Sequence, residues 1–402
     1  MTTEAPATRW IMLALLFYVR GAMYMQSQVI APLMPFLQPD LGLSYAQVGF
    51  LVGAYFLPGA VIALPGGVAA RAMGDRRMLL LCLVLLTAGA ALLAVSPTYS
   101  VALAARLLSG TGAVMLNVQA TKMATDWFAG RELATAMAVI TTSWGLGVAV
   151  AFTTLGAVGD AYSWRVAIGF VAGLTLLGLL LIAVAYQDPP QAAGHVPPAL
   201  SWGGLITRWE VGAATLSGWS RMCYIVGLSV FQSFAPNYLV ETGTAPGMAS
   251  LTVSVSTWAL LISVPLGGFL TDRWRATVPV IVVGSLGLAL ACGAVPPAGG
   301  ATLLFLLVGL VGGIPQGAIN ALPGGFLHPA SRNLGFAVFL TWSYVGMAVL
   351  PWVAGHLQDR SGLPSTPLTF AAGVIATTVL AYGAYLTLMR AWRRSPANGP
   401  AT

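Results

Sequence analysis

The chain has 402 residues, of which 57% are hydrophobic and only 7% are charged. Soluble globular proteins average about 25% charged residues, so this composition excludes a soluble domain and indicates an integral membrane protein. The net charge of +7 would suggest nucleic acid as a partner of a soluble protein. Here the basic residues follow a membrane topology instead, and we expect no nucleic-acid partner.

Twelve apolar runs along the chain are long enough to be considered membrane spans. A membrane-spanning helix needs about 20 predominantly apolar residues. The first run is too long for a cleavable signal and lacks a small-residue cleavage site. We therefore predict an all-α membrane protein with twelve transmembrane helices. The predicted spans are residues 11–37, 46–70, 78–95, 99–124, 133–157, 164–186, 211–239, 247–271, 277–296, 300–327, 333–357 and 366–390.

The distribution of basic residues predicts the orientation in the membrane. An even number of spans places both termini on one side. If that side is the cytoplasm, the inner loops and helix ends hold twelve arginines, whereas the outer loops hold only Arg165 and Arg360. Cytoplasmic loops carry an excess of basic residues. The sequence therefore predicts a multi-pass protein of the bacterial inner membrane with both termini in the cytoplasm.

The second half of the sequence repeats the first at an offset of 201 residues. Membrane transporters are often built from such repeats, and a polar, proline-rich segment separates the two copies. We predict an N-terminal six-helix half at 1–187, a cytoplasmic linker at 188–210 and a C-terminal six-helix half at 211–402. Equivalent positions include Arg20 and Arg221, Pro35 and Pro236, Gly66-Gly67 and Gly267-Gly268, and Gly145 and Gly346.

Two local motifs carry a family resemblance. The loop after the eighth span reads GFLTDRWR from Gly268 to Arg275, and the fourth span carries RLLSGTG from Arg106 to Gly112. They resemble the Gly-x-x-x-Asp-Arg-x-x-Arg/Lys and Arg-x-x-x-Gly-x-Gly signatures of major facilitator transporters. Together with the repeat, they identify the chain as a member of that superfamily. The resemblance implies the major facilitator fold, with the substrate near the membrane midplane between two pseudo-symmetric halves.

The fourth span also bears on the branch of the superfamily. Lys122 after Asn117, followed by Trp127 and Phe128, resembles the cyanate-permease-type branch. Lys122 is the only lysine in the chain. It is either a cavity residue that meets substrate or an inner-face lysine whose charged end reaches water.

The resemblance also implies a cytoplasmic gate at the ends of the second and eighth helices. The first-half loop keeps the glycines and basic cluster of the motif but has Arg71 where the family has aspartate. Asp75 follows one helical turn later and is expected to pair with Arg71. We expect the second-half loop, with Asp272, to be the firmer closure. The predicted gate residues are Gly67, Arg71, Asp75, Gly268, Asp272 and Arg273.

The charges inside the spans predict the charge of the substrate. Arg20, Arg106, Arg221 and Lys122 lie within apolar runs, whereas the eleven acidic residues lie outside the hydrophobic cores. A charge in hydrocarbon is costly and normally faces a bundle interior or an aqueous cavity. Cations without buried carboxylates therefore indicate a pathway for an anion. The alternative is that these arginines are structural and bond helix-end carbonyls.

Arg20 and Arg221 are repeat mates, and the arginine fork suits carboxylate-like oxygens. Helical spacing places further polar side chains on the same helix faces as these two arginines. For Arg106 a coupling role and a structural role remain open. The predicted substrate-binding residues are Arg20, Tyr24, Ser27, Asn117, Lys122, Arg221, Tyr224, Gln232, Gln316 and Asn320.

The sequence thus predicts a secondary active transporter of a small inorganic or organic anion. It would work by alternating access in the bilayer as a monomer, by proton symport or anion exchange. The alternative is a drug or metabolite exporter of the same fold. Exporters of organic cations in this family generally use an acidic residue inside the membrane, and this chain has none there. No nucleophile-base pair, nucleotide loop or metal cluster occurs, so we expect no enzyme activity and no cofactor.

Overall fold

The computed structural model describes residues 6–59, 73–128, 132–187, 206–328 and 331–394. This part of the chain is helical and contains no strand. The helices are α1 (Pro6–Ser27), α2 (Ile30–Leu41), α3 (Tyr45–Ala54), α4 (Asp75–Ala94), α5 (Tyr99–Trp127), α6 (Leu133–Ala161), α7 (Trp164–Ala185), α8 (Arg208–Glu241), α9 (Pro246–Trp274), α10 (Thr277–Ala294), α11 (Thr302–Ala321), α12 (Arg332–Ser361) and α13 (Thr366–Arg394). A short 3₁₀ turn (Leu322–Gly325) follows α11.

Within the described ranges, nine helices are long and apolar enough to cross a membrane. The three other predicted spans have separate explanations. The first is divided between α1 and α2, and the second begins as α3 and continues into 60–72, outside the described residues. The seventh is α8, which is 34 residues long but carries many polar side chains. The structure is therefore an all-α membrane protein that accounts for each predicted span it describes.

The first span is broken, although we predict it as one continuous helix. α1 ends at Ser27 and α2 begins at Ile30. Pro32 has no N–H to donate to the Gln28 carbonyl, and its ring disfavours a helix through that position. The Val29 N–H instead bonds the Gln26 carbonyl at 3.3 Å, one residue short of the α-helical pattern. The break leaves backbone carbonyls in the middle of the bundle that need other donors.

The second half begins earlier than the predicted boundary at residue 211. Thr207 and Glu210 form a capping box, in which the Glu210 N–H donates to the Thr207 hydroxyl and the Thr207 N–H donates to the Glu210 carboxylate. This arrangement fixes the first turn of a helix, so α8 starts at Arg208. Most of the predicted linker, residues 188–205, lies outside the described residues.

Glu210 also ties the start of α8 to the segment before α12. Its Oε1 atom accepts from the Ser331 hydroxyl at 2.5 Å and from the His328 N–H at 3.1 Å. Burial of Glu210 works against its ionisation, but these hydrogen bonds and those from Thr207 outweigh that effect and hold its pKa at about 2. The carboxylate is therefore charged at neutral pH and acts as a fixed acceptor at this helix start.

Helix ends cluster on two sides of the molecule, which we call the terminal side and the far side. On the terminal side, where α1 begins and α13 ends, Arg9 pairs with Glu132 at 2.8 Å, and Trp209 stacks on Trp392 with ring centroids 4.2 Å apart. On the far side, the Asp40 carboxylate accepts from Arg165. The first half comprises α1–α7 and the second half α8–α13.

The two halves meet closely on the far side through glycines. α3 packs on α12, and α6 packs on α9. A Cβ added to Gly49 would lie 2.1 Å from the Pro351 carbonyl oxygen, and one added to Gly53 would lie 2.3 Å from that of Ala348. Real Cβ atoms do not approach this closely, so only glycine fits. The backbones of the two halves therefore touch directly at these positions.

Candidate functional site

A cavity of about 330 Å³ lies between the two halves. α1, α5 and α6 of the first half and α8, α11 and α12 of the second half contribute to its walls. Nine of the ten residues predicted to bind substrate line it: Arg20, Tyr24, Ser27, Asn117, Arg221, Tyr224, Gln232, Gln316 and Asn320. The structure thus brings residues from four different predicted spans to one site. Lys122 is the exception.

Arg20 is held in a fixed orientation at the cavity wall. Its Nε atom donates to Asn117 Oδ1 at 3.0 Å, and its Nη1 atom donates to the Ile140 carbonyl at 2.7 Å. The Tyr24 hydroxyl donates to the same Asn117 oxygen at 3.1 Å. Nη2 has no hydrogen bond within the described residues, so one arm of the guanidinium remains available to the cavity.

Arg221 is held in the same way in the second half. Its Nε atom donates to Asn320 Oδ1 at 2.8 Å, and its Nη1 atom donates to the Ser343 hydroxyl. Asn117 and Asn320 lie on α5 and α11, which are equivalent helices of the two repeats. Each half therefore presents one arginine oriented by one asparagine. The offset of 201 residues does not reveal this pairing, because it aligns Asn117 with Ala318 rather than with Asn320.

The charge of the two cavity arginines is not balanced by acidic residues. The lining residues include Arg20 and Arg221 but no aspartate or glutamate. Neither arginine forms an ion pair within the described part of the chain. Desolvated charges are costly unless a counter-charge is present. The arrangement can therefore accept an anion, which would supply that counter-charge.

Other cavity residues could have been found from helical spacing. Leu340, Ser343, Tyr344 and Met347 form one face of α12 and all line the cavity. Their spacing of three and four residues is that of one helix face. The sequence signal that could have identified this face is the pair Ser343 and Tyr344, which is polar and aromatic within an otherwise apolar span. Tyr344 belongs to the wall although it is absent from the predicted binding set.

Lys122 lies away from the cavity, in a cluster of charges on the terminal side. Its Nζ atom lies 2.6 Å from Asp75 Oδ2 and 3.2 Å from Asp126 Oδ2. Gln119 donates to the other Asp75 oxygen at 2.6 Å. The predicted substrate contact of Lys122 is therefore not found. The partner expected for Asp75, Arg71, lies outside the described residues.

Arg106 is fully buried and does not line the cavity. Its Nε atom donates to the Leu51 carbonyl at 2.9 Å, and its Nη1 and Nη2 atoms donate to the carbonyls of Gln26 and Ser27, both at 3.1 Å. The last two carbonyls lie at the break between α1 and α2. This geometry gives Arg106 a structural role, while a coupling role stays a prediction.

The comparisons with known proteins fit this architecture. The family model described as the Major Facilitator Superfamily matches residues 16–222 and 218–401. The chain belongs to this superfamily. Its relatives are transporters. The hexuronate transporter of Bacillus subtilis is 22% identical over 392 residues, covering 89% of this chain and 90% of that protein.

Two further relatives have names that refer to different compounds. The probable sulfoacetate transporter SauU of Cupriavidus necator is 22% identical over 402 residues and covers 93% of each chain. The quinolone resistance protein NorA of Staphylococcus aureus is 25% identical over 168 residues, which is 41% of this chain and 42% of that protein. The branch of the superfamily is therefore not fixed by these likenesses.

Solved structures support the major facilitator fold. A bacterial homologue of the human lysosomal transporter Spinster, in an inward-facing and occupied conformation, matches with a TM-score of 0.76 and 17% identity. The match covers 99% of this chain and 100% of that one. The nucleoside transporter NupG also matches with a TM-score of 0.76, at 15% identity. At such low identity the likeness concerns the fold alone.

The predicted gate of this major facilitator protein is only partly visible. Gly67 and Arg71 lie outside the described residues. Asp272 and Arg273, at the end of α9, are exposed on the terminal side and form no ion pair among the described residues. Of the two neighbouring glycines, Gly267 is the tightly packed one: a Cβ added there would lie 2.2 Å from the Ile314 carbonyl oxygen, whereas one added to Gly268 meets nothing within 4 Å. Their gating role stays a prediction.

The far side holds a contact that the sequence analysis missed. The two oxygens of Asp359, at the end of α12, accept from the backbone N–H groups of Tyr45 and Ala46 at 2.9 and 2.8 Å. The Tyr45 hydroxyl donates to Glu241 at 2.5 Å. We call Asp359, Tyr45 and Glu241 the far-side latch. The Ser44 capping box marks the start of α3, but a partner 314 residues away leaves no local signal.

Proposed function

We propose that this protein is a secondary transporter that moves a small anion across the bacterial inner membrane by alternating access. The observation that carries the proposal is the pair of repeat-related arginines, Arg20 and Arg221, in a cavity without acidic residues. Guanidinium groups form strong, charge-assisted hydrogen bonds with carboxylate-like oxygens. The full-length likeness to proteins named for hexuronate and sulfoacetate supports an anionic substrate.

The proposal includes the orientation and the coupling. We place the terminal side in the cytoplasm, because the basic residues concentrate there, and we treat the protein as a monomer. Moving one negative charge into a negative-inside cell costs roughly 2.3 kcal/mol per 100 mV. Uptake of an anion alone would therefore run against the membrane potential. Proton symport or exchange for another anion removes this obstacle.

Export of drugs is the second candidate, supported by the partial likeness to NorA. A cationic drug in this cavity would face Arg20 and Arg221 without any carboxylate to attract it. Like charges brought together in a site of low dielectric repel strongly. The cavity chemistry therefore favours the anion, and the two candidates predict opposite charge preferences.

Binding measurements on the purified protein test the proposal. Arg20→Gln and Arg221→Gln each remove one charged donor, and we expect each to weaken anion binding about 10- to 100-fold, because hydrogen bonds to charged groups contribute about 1.5–3 kcal/mol. The matched control is Arg390→Gln, an exposed arginine near the end of α13, which should leave binding unchanged.

The ligands in this test are a panel of inorganic anions, carboxylates and sulfonates. Cationic dyes form the comparison set. Liposome uptake with and without a pH gradient then separates proton symport from exchange. Normal anion affinity in both cavity variants would refute the proposal. Tight binding of the cations with no binding of anions would favour drug export.

A further inference from the structure

Gln232 is a buried amide whose donor atom is unpaired in the part of the chain that the structure describes. The side chain is 6% exposed and lines the same cavity as the two arginines. Its Nε2 atom has no hydrogen-bond partner among the described residues. By contrast, the buried Nε2 atom of Gln26 donates to both the Leu86 carbonyl and the Ser109 hydroxyl. The Nε2 atom itself is buried behind the cavity surface. An unpaired buried donor costs about 1–3 kcal/mol, so a turn of the amide that brings Nε2 to an acceptor in the cavity would be favourable.

The position of Gln232 separates it from the charged end of the cavity. It follows Arg221 on α8 by 11 residues, which is close to three full helical turns and places both side chains on one face. The rise of 1.5 Å per residue puts their Cα atoms roughly 16 Å apart. A single inorganic anion held by the arginines cannot also reach Gln232. A ligand that meets both must have an extended body.

The cavity between these two ends suits an organic molecule. Its volume of about 330 Å³ falls within the range of about 300–1,000 Å³ typical of small-molecule pockets. Leu228 lies between Arg221 and Gln232 on α8, and Trp144 and Tyr344 supply aromatic wall to the same cavity. Such a wall gains stability from covering carbon atoms, which a bare inorganic ion does not provide.

We infer that the substrate is an organic anion that carries a neutral oxygen acceptor, a hydroxyl or a carbonyl, at the end away from its charge. The inference rests on the proposed function and specifies its substrate class as hydroxy or keto acids. The acid group lies against Arg20 and Arg221, and the carbon body lies along the aromatic wall. Gln232 donates through Nε2 to the distal oxygen and thereby selects for it.

A matched pair of ligands tests the role of Gln232. Hexanoate and ω-hydroxyhexanoate differ only in the distal hydroxyl, and both are measured by calorimetry on the purified protein. We expect the wild type to prefer the hydroxy acid about tenfold, the value of one hydrogen bond of about 1.4 kcal/mol. In Gln232→Leu, which keeps the volume but removes the donor, the ratio of the two affinities should fall to near one.

The outcomes separate this inference from the proposed function. Equal wild-type affinities, or a preference that persists in Gln232→Leu, overturn the assignment of Gln232. Binding of nitrate without binding of either acid overturns the organic class while leaving anion transport standing. Unchanged binding of both acids in Arg20→Gln and Arg221→Gln would instead refute the anion site itself. Thermal unfolding of each variant establishes that the protein under test is folded.

Discussion

At the cavity wall, Asn117 and Asn320 position the two arginines without changing their charge. Each asparagine offers a neutral oxygen to an arginine Nε atom. An aspartate at the same position would keep the shape and the hydrogen bond but would add a negative charge. The neutral amide therefore leaves the charge of the arginine available to a ligand.

This arrangement gives a direct test of charge. Asn320→Asp should convert the contact with Arg221 into an ion pair and weaken anion binding about tenfold or more, because the arginine then already has a counter-charge. Asn320→Leu removes the orienting oxygen but adds no charge, so its loss should be smaller. Calorimetry on the purified variants measures both. A larger loss in the leucine variant would show that orientation, not charge, dominates.

Lys122 provides a second test at the level of single residues. Its ammonium group lies between Asp75 and Asp126, and arginine can form the same ion pairs while staying protonated at all relevant pH values. We expect Lys122→Arg to retain anion uptake in liposomes and its response to an imposed pH gradient. Loss of the pH response with binding retained would instead make Lys122 part of the coupling mechanism.

Among the helices, Arg106 joins two interruptions of regular structure. Its donors serve two carbonyls at the end of α1 and a carbonyl near the end of α3. Without the guanidinium, the Ser27 and Leu51 carbonyls would lose their side-chain donor, at about 1–3 kcal/mol each. The Gln26 carbonyl keeps the Val29 N–H. Arg106→Met, of similar length, should therefore lower the free energy of unfolding by about 3 kcal/mol or more. Thermal unfolding in detergent measures this, with the exposed Arg390→Met as control.

The far-side latch is a contact between a carboxylate and the start of a helix. Asp359 accepts from the first N–H groups of α3, where the helix dipole also favours negative charge. Asp359→Asn loses the charge and one acceptor, so we expect the population open on the far side to rise about tenfold or more. Distances between spin labels at Tyr162→Cys and Leu363→Cys would report it. The neighbouring Arg360→Gln should leave the distances unchanged.

The helices show how far the sequence could be interpreted. Hydropathy predicts the long helices, because each needs only its own apolar residues to span a bilayer. The break before Ile30 was visible as Pro32, yet prolines are tolerated in membrane helices when neighbours satisfy the freed carbonyls. That neighbour, Arg106, is 54 residues or more from the carbonyls it bonds. Contacts across such separations depend on packing that no local pattern records.

In the cavity, too, local patterns predict some residues, whereas others depend on long-range packing. Arg20, Arg221 and most of the polar candidates follow from charges placed in apolar runs and from the repeat. The sequence left Lys122 as either a cavity residue or an inner-face lysine, because its carboxylate partner Asp75 belongs to another helix. Gln232 was predicted as a ligand from its helix face, but its unpaired Nε2 atom is known only from the packed structure.

Across the whole molecule, the state of the transporter depends on whether the halves can touch on the far side. Gly53 lies against the Ala348 carbonyl, where an added methyl group would be 2.3 Å from oxygen. Gly53→Ala should therefore prevent full closure and shift the carrier towards the state open on the far side. The same labels at Tyr162→Cys and Leu363→Cys measure the shift.

The matched control for this prediction is another helical glycine. A Cβ added to Gly169 on α7 meets nothing within 4 Å, so Gly169→Ala should leave the label distances unchanged. A shift of similar size in both variants would point to general helix effects of alanine. An unchanged distance in Gly53→Ala would show that the halves can separate locally without changing the closed state.

The glycine contacts also bear on electrical insulation. A water molecule needs a void of about 10–15 Å³ lined by polar partners, and backbones in contact at Gly49 and Gly53 leave no such void between the halves there. Without a file of water, protons and small ions have no wet path between α3 and α12 at these two positions. A carrier closed in this way can keep a large aqueous cavity open to one side without an ion leak that would dissipate the membrane potential.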